Sequence, residues 1–518
     1  GAGLAAASIW HIVEAPIALD VSSPWDVCHA MVTQGMGLAG GAKPEFAEPD
    51  FQQQWLSQPQ EHRELALSAT CEATRQDSAY PRDADNLWFQ NDAHGQCASA
   101  LESLPLPNDD CQLIRVAHLD TGYDPGHHSR PIRLETALQR NFVDADRPHD
   151  ATDDSSGLFN NLGHGTGTLS ILAGTATAGL PRLGVAPFVK VVPIRVADRV
   201  ELFYNSAIAQ ALDYVHGLGA AGGANAVSVV SMSMGGLASR AWADAVNALY
   251  EAGVVVVTAA GNNFGSLPTR HIVYPARFNR VIAACGIMAD QSPYADLPGT
   301  RMAGNYGPDS KMRTAMSAYT PNVPWAKFGC GEVIDFDGAG TSAATPQIAA
   351  AAAMWLQKNR AACAAYAQPW MRVEAVRHAL FSSASPGDGH RLGHGALRVA
   401  AALAVAPPAE PQLKKEEVDT ASFAFLRVLT GLGISGMSEA QRAMLELEAL
   451  QLSQSAAIEA LLPDPGVDPA SLSWPQRQAL AKALSEHPHA SQALRRALRA
   501  AAPPPPRASR CARRGRRS

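Results

Sequence analysis

The chain lacks any Cys-x-x-Cys pair, and its eight cysteines are scattered, which argues against a zinc or thiol-redox centre. It lacks an apolar run of the roughly 20 residues that a membrane-spanning helix needs. Its opening stretch, Gly1–Pro16, has no initiator Met and no basic n-region, and His11 and Glu14 interrupt it. That stretch reads as a poor signal peptide and as a processed or incomplete start, so secreted and cytoplasmic locations both stay open. Excess positive charge is also missing. The formal net charge of −6 becomes −12 once the six arginines after Pro506 are set aside, and a body that acidic is not expected to bind nucleic acid. Charged residues at 17% and hydrophobic ones at 47% describe an ordinary globular protein. Cys28, Cys71, Cys97 and Cys111 leave room for two disulfides whose pairing stays open, while Cys285, inside an apolar run, reads as core.

What the chain does contain, between residues 111 and 405, is an alternation of β-rich apolar runs with helical stretches. Ile114–Leu119, Val189–Val196, Val227–Met234, Val254–Ala260 and Val281–Ile287 read as strands. Gly165–Ala173, Ser206–Leu218, Arg240–Ala252, Pro346–Gln357 and Arg372–Phe381 read as helices. Continuous apolar strands alternating with helices predict an α/β fold with a mainly parallel sheet covered on both faces. Functional groups then gather beyond the carboxyl ends of the strands. Residues 1–110 are less regular and are expected to be an N-terminal extension or pro-region. A linker is expected over 406–420, a helical region over 421–500, and a disordered Pro/Arg-rich tail over 501–518. Ser438-x-x-Gln441 and Ser473-x-x-Gln476 look like capping boxes within those C-terminal helices, which are candidates for binding an unidentified protein.

Three marked positions carry the chemistry. Asp120 ends the first apolar run, His164 opens Gly163-His164-Gly165-Thr166-Gly167, and Ser342 lies in Gly340-Thr341-Ser342-Ala343-Ala344-Thr345-Pro346 before an alanine-rich helix. A serine hydroxyl is a weak nucleophile and needs a base within reach, which His164 would supply. Asp120 would hold the imidazole in the right tautomer and stabilise its charged form. The oxyanion of a tetrahedral intermediate needs donors, and Asn262, after the run Val254–Ala260, could offer a side-chain N–H beside the backbone N–H of Ser342. Each signal alone has a plain reading as a turn, a loop histidine or a helix cap. Their conjunction in the order Asp, His, Ser points to a serine endopeptidase. An aspartic protease would need a second Asp-Thr-Gly, and an esterase of the Gly-x-Ser-x-Gly type has another order. Gly217-x-Gly219-x-x-Gly222 follows a helix, the reverse of what dinucleotide binding requires.

With these residues in hand, the chain resembles the subtilisin-like serine proteases, the subtilases, over roughly residues 111–405. Asp120-Thr121-Gly122, His164-Gly165-Thr166 and Gly340-Thr341-Ser342-x-Ala344-x-Pro346 look like that family's three active-site blocks. The resemblance implies a three-layer α/β domain, a triad of Asp120, His164 and Ser342, an oxyanion-hole side chain at Asn262, and protein or peptide substrates. It also implies an extended substrate added as a strand along Ser233, Met234 and Gly235. A first specificity pocket would be walled by that segment, by Ala259–Gly261 and by Val273. These walls carry no acid, so an apolar or medium-sized P1 residue is expected rather than Arg or Lys. Several subtilases hold Ca²⁺, and Asp144, Asp146, Asp150, Asp153 and Asp154 are the candidate ligands, a solvated loop being the plainer reading. Two departures stand out: Gly167 replaces a frequent second histidine, and Ala343 a frequent methionine. The segment Gln291–Gly338 is longer and less family-like than its neighbours, its run Met316–Pro321 is expected to reshape a pocket wall, and residues 1–110 do not look like the usual inhibitory pro-domain. The rival reading is a catalytically silent scaffold of the same fold.

Overall fold

The computed structural model describes residues 9–14, 23–35, 44–54, 71–153, 163–177, 179–198, 202–220, 223–263, 271–299, 301–423, 437–462 and 472–500. The chain divides into two compact units, the first made of residues 1–14 and 50–420, the second of 15–49 and 421–518.

The first unit is built on seven parallel strands: β1 (Arg115–Asp120), β2 (Arg140–Asn141), β3 (Lys190–Arg195), β4 (Val229–Met232), β5 (Val255–Ala259), β6 (Val281–Ile287) and β7 (Ala315–Tyr319). Their order across the sheet is β7-β6-β5-β4-β1-β3-β2. β1, β4, β5, β6 and β7 are buried at every position, which is why the first four read as near-continuous apolar runs rather than alternating ones. Helices α1 (His164–Ala173), α2 (Asn205–Ala220), α3 (Arg240–Glu251), α4 (Thr341–Lys358) and α5 (Trp370–Ser383) follow the expected stretches. α1 and α4 pack against each other, and α4 lies along the central strands β4, β5 and β6. The expected mainly parallel α/β architecture is therefore present, and α4, buried through Gln357, forms its spine.

The structure departs from the sequence-based expectations in several places. Met316–Pro321, expected to reshape a pocket wall, overlaps the edge strand β7, which pairs Ala315–Tyr319 with Ala283–Ile287 and was not expected as a strand. After β7, a hairpin of β8 (Val323–Ala326) and β9 (Ile334–Gly338) returns the chain to α4. The chain also divides elsewhere than composition suggested. Residues 71–104 belong to the first unit, where Trp88 is wholly buried and donates from Nε1 to the Asn322 carbonyl (2.8 Å). Residues 24–34, by contrast, form a helix of the second unit, where Trp25 Nε1 donates to Gln451 Oε1 (3.0 Å) and His29 meets Glu448 (3.2 Å). Nor is 406–420 an open linker. Asp419 is buried and accepts from the backbone N–H groups of Asn279 (2.7 Å) and Arg280 (2.9 Å). Arg280 in turn donates to the Glu416 and Glu417 carbonyls.

The one disulfide among the described residues joins Cys71 to Cys330, 259 residues apart, and not any pair within Cys28, Cys71, Cys97 and Cys111. The arm carrying Cys71 runs beside the β8–β9 hairpin, where Thr74 bonds to Asp335 and Asp337. Cys28 and Cys97 are buried thiols pushed up to about 12 by burial, and Cys285 is core as expected. In the second unit, Ser438 and Ser473 cap helices Glu439–Ser453 and Trp474–Glu486, with Gln441 and Gln476 reaching back to the cap N–H groups. The tail 501–518, with Cys511, lies outside the described residues.

Candidate active site

β1 delivers Asp120 to the carboxyl rim of the sheet, and the next turn packs backbone to backbone against the start of α1. A side chain on Gly165 would put its Cβ 2.1 Å from the Gly122 carbonyl oxygen, so only glycine allows the two turns to meet. His164 is the first residue of α1, and its Nδ1 lies 2.7 Å from Asp120 Oδ1. The same oxygen accepts the Thr121 N–H (2.8 Å). Burial alone would push the Asp120 carboxyl up, but the facing His164 and its hydrogen bond outweigh that and hold it below the usual carboxylate range.

Ser342 stands at the second position of α4, where the helix N-terminus favours nearby negative charge. Gly340 precedes the helix at φ +79°, and a Cβ there would lie 2.9 Å from Asn262 Nδ2. Pro346, four residues after Ser342, has no N–H to give the Ser342 carbonyl. Ser233 fills that role: its Oγ donates to the Ser342 carbonyl (3.0 Å), and the Ser342 hydroxyl donates to the Ser233 carbonyl (3.3 Å). Among the described residues, then, the Ser342 hydroxyl is bonded to Ser233 and not to the His164 ring. Catalytic hydrogen bonds of this kind often tighten only with substrate in place. Asn262 uses Oδ1 to accept the Thr341 N–H (2.8 Å), which fixes the amide and leaves Nδ2 to donate elsewhere.

The expected pocket walls also come together. Gly236 and Tyr274 exchange backbone hydrogen bonds (2.6 and 3.0 Å), and the Val273 N–H reaches the Ala260 carbonyl (3.0 Å). A Cβ on Gly235 would lie 2.5 Å from a Val273 methyl, and one on Gly261 would lie 3.0 Å from the other. Ser233 and Met234 run into this corner from the end of β4.

The acidic loop does not fit a Ca²⁺ site among its described residues. The Arg195 guanidinium, almost fully buried, stands between Asp144, Asp153 and Asp198, and Arg147 pairs with Asp144 (2.7 Å). No group of three His, Cys, Asp or Glu there could hold a metal ion, and Asp154 lies outside the described residues. Asp153 instead braces the site. Its Oδ2 accepts from Thr121 Oγ1 (2.9 Å) and the Gly163 N–H (3.2 Å), tying the Asp120 and His164 turns together.

Sequence reasoning missed three neighbours of the pair. Trp325 of β8 meets the His164 ring edge-on, 6.3 Å between centroids, and fills the space over Gly167, where a Cβ would fall 2.8 Å from the indole. Gly167 is thus the counterpart of Trp325. His118 and Thr168 lie on the other side of Asp120; the period-two alternation of β1 and the four-residue spacing from His164 were the available signals.

The chain is similar to known proteins over its first unit. The model of the subtilase family matches residues 112–395. Subtilisin DY of Bacillus licheniformis is 29% identical over 297 residues, covering 56% of this chain and 90% of that protein. Subtilisin E of Bacillus subtilis (strain 168) is 26% identical over 291 residues, covering 56% of this chain and 65% of that protein. A solved structure of the protease domain of PatA, in a serine-to-alanine mutant, overlays 58% of this chain and 96% of that one with a TM-score of 0.45 at 22% identity. No helix among the described residues is long and apolar enough to cross a membrane.

Proposed function

The chain belongs to the subtilase family and is a serine peptidase, and on that premise we propose that it cleaves within polypeptides through Asp120, His164 and Ser342. The observation that carries the assignment is the 2.7 Å contact between Asp120 and His164 Nδ1, with Ser342 at the start of the buried helix α4. Asp120 keeps the proton on Nδ1, so Nε2 is the free base. Once the Ser342 hydroxyl swings off the Ser233 carbonyl, it attacks the scissile carbonyl carbon while Nε2 takes its proton. Asn262 Nδ2 and the Ser342 N–H receive the oxyanion. Collapse breaks the C–N bond, His164 protonates the departing amine, and an acyl-enzyme remains. Water then repeats the sequence, with His164 again as base, and frees the acid.

A fluorophosphonate probe tests this directly. Labelling of folded wild type that is lost in Ser342→Ala supports it, and folded wild type that takes no label would favour the silent scaffold. Substrate choice follows from the walls of the corner. Gly235, Gly261 and Val273 offer small or apolar surface and no carboxylate to pair a buried cation, so apolar or medium-sized P1 residues are preferred. A peptide library is expected to return Leu-, Met- or Phe-type residues at P1, and a profile dominated by Arg or Lys would refute the assignment of the pocket.

A further inference from the structure

Asp120 has two carboxylate oxygens, and His164 uses only one. Asp120 is wholly buried, so the lone pairs of Oδ2 need a protein donor. Thr168, one turn along α1 from His164, supplies it with Oγ1 at 3.0 Å. Beyond stands His118 of β1, whose Nε2 lies 2.9 Å from that same Oγ1 and 3.9 Å from Oδ2. The His164 and Gly165 carbonyls also lie within reach of that Oγ1 (3.1 and 3.3 Å), and like the ionised carboxylate they only accept. Asp120 Oδ2 is the nearest of the three and the only charged one, so the single Thr168 proton is assigned to it, and the remaining neighbour, His118 Nε2, is assigned as the donor to Oγ1.

We propose that His118 and Thr168 are positioning residues for the triad. A buried donor chain, His118 Nε2–H to Thr168 Oγ1 and Thr168 O–H to Asp120 Oδ2, holds the second carboxylate oxygen so that the first stays aimed at His164. The inference rests on the triad proposed above. It goes beyond simple satisfaction of a core polar pair, because both side chains converge on the one carboxylate the mechanism uses.

The chain works only while His118 is neutral, since an imidazolium there would draw Asp120's charge away from His164. Burial pushes His118 down to about 4; Asp120 pulls it up and His164 down. The charged or titratable groups facing it are Asp120 on its own strand and His164 on α1. At its level β3 presents Pro193 and β4 presents Ser231, and α4 carries no charged side chain before Lys358.

Thr168→Val keeps the shape and deletes the hydroxyl. Expected is a folded protein whose kcat falls about tenfold with KM changed by less than about twofold, the size of one charge-assisted hydrogen bond. The His164 titration, read from its ring-proton resonance and from the acid limb of kcat/KM, is expected to move up by about half to one pH unit. A carboxylate that loses a donor binds the facing imidazolium more tightly. The double variant His118→Leu with Thr168→Val removes the orphaned imidazole as well, and is expected to show the same shift should the single variant fold poorly. A folded variant with unchanged kcat, or with a titration that stays put or moves down, overturns the proposal. If wild type hydrolyses no peptide yet the His164 resonance still moves in Thr168→Val, the donor chain stands and the peptidase mechanism falls.

Discussion

Ser342→Ala is expected to leave a folded protein whose kcat on a peptide substrate is about 10⁶-fold below wild type, a size carried over from the equivalent loss in subtilisin. The substitution removes one oxygen from a buried site, and that oxygen's only hydrogen bond among the described residues is a 3.3 Å contact with the Ser233 carbonyl. The helix start is held by other groups: Thr341 N–H on Asn262 and Ser233 Oγ on the Ser342 carbonyl, both of which survive. Stability should therefore change little while the covalent route disappears. Melting curves beside initial rates check both halves. A variant that keeps more than about a hundredth of wild-type kcat, with contaminating protease excluded, would remove Ser342 from the role of nucleophile.

Asn262→Ala is expected to lower kcat by about 10²–10³ with KM nearly unchanged, again the size carried over from the oxyanion asparagine of subtilisin. The selectivity for kcat follows from the proposed role, in which Nδ2 would donate to charge that develops only during reaction. Alanine also strips the acceptor from the Thr341 N–H, so a second variant is needed to separate the two losses. Asn262→Asp retains an acceptor for that N–H and lacks the donor. It should fall at least as far in kcat, because a carboxylate beside the oxyanion repels it. If the aspartate variant keeps wild-type kcat, Asn262 holds the helix start and nothing more.

How much of this was legible in the sequence depends on how local each feature is. β1, β5 and β6 announced themselves because burial on both faces demands unbroken apolar residues. β7, Ala315–Tyr319, was passed over because Ala-Met-Ser-Ala-Tyr contains no β-branched residue and runs directly into Thr320-Pro321. The Asp120–His164 pairing and the meeting of Gly235 with Val273 followed from motif order and resemblance, and both are present in space. Trp325 and the Cys71–Cys330 bond are contacts between distant segments that no local pattern encodes. His118 is different in kind. It stood in plain view two residues before Asp120, but a histidine in an apolar strand carries no meaning until the helix opposite presents Thr168.

The match to the family model covers residues 112–395, yet the first unit continues to 420. A protein shortened at the homology boundary would strip the acceptor from the N–H groups of Asn279 and Arg280, and would leave the Arg280 guanidinium without the carbonyls it grips. Those donors sit just ahead of β6, a strand of the catalytic sheet. In this molecule the edge of the family match and the edge of the folded unit are different places.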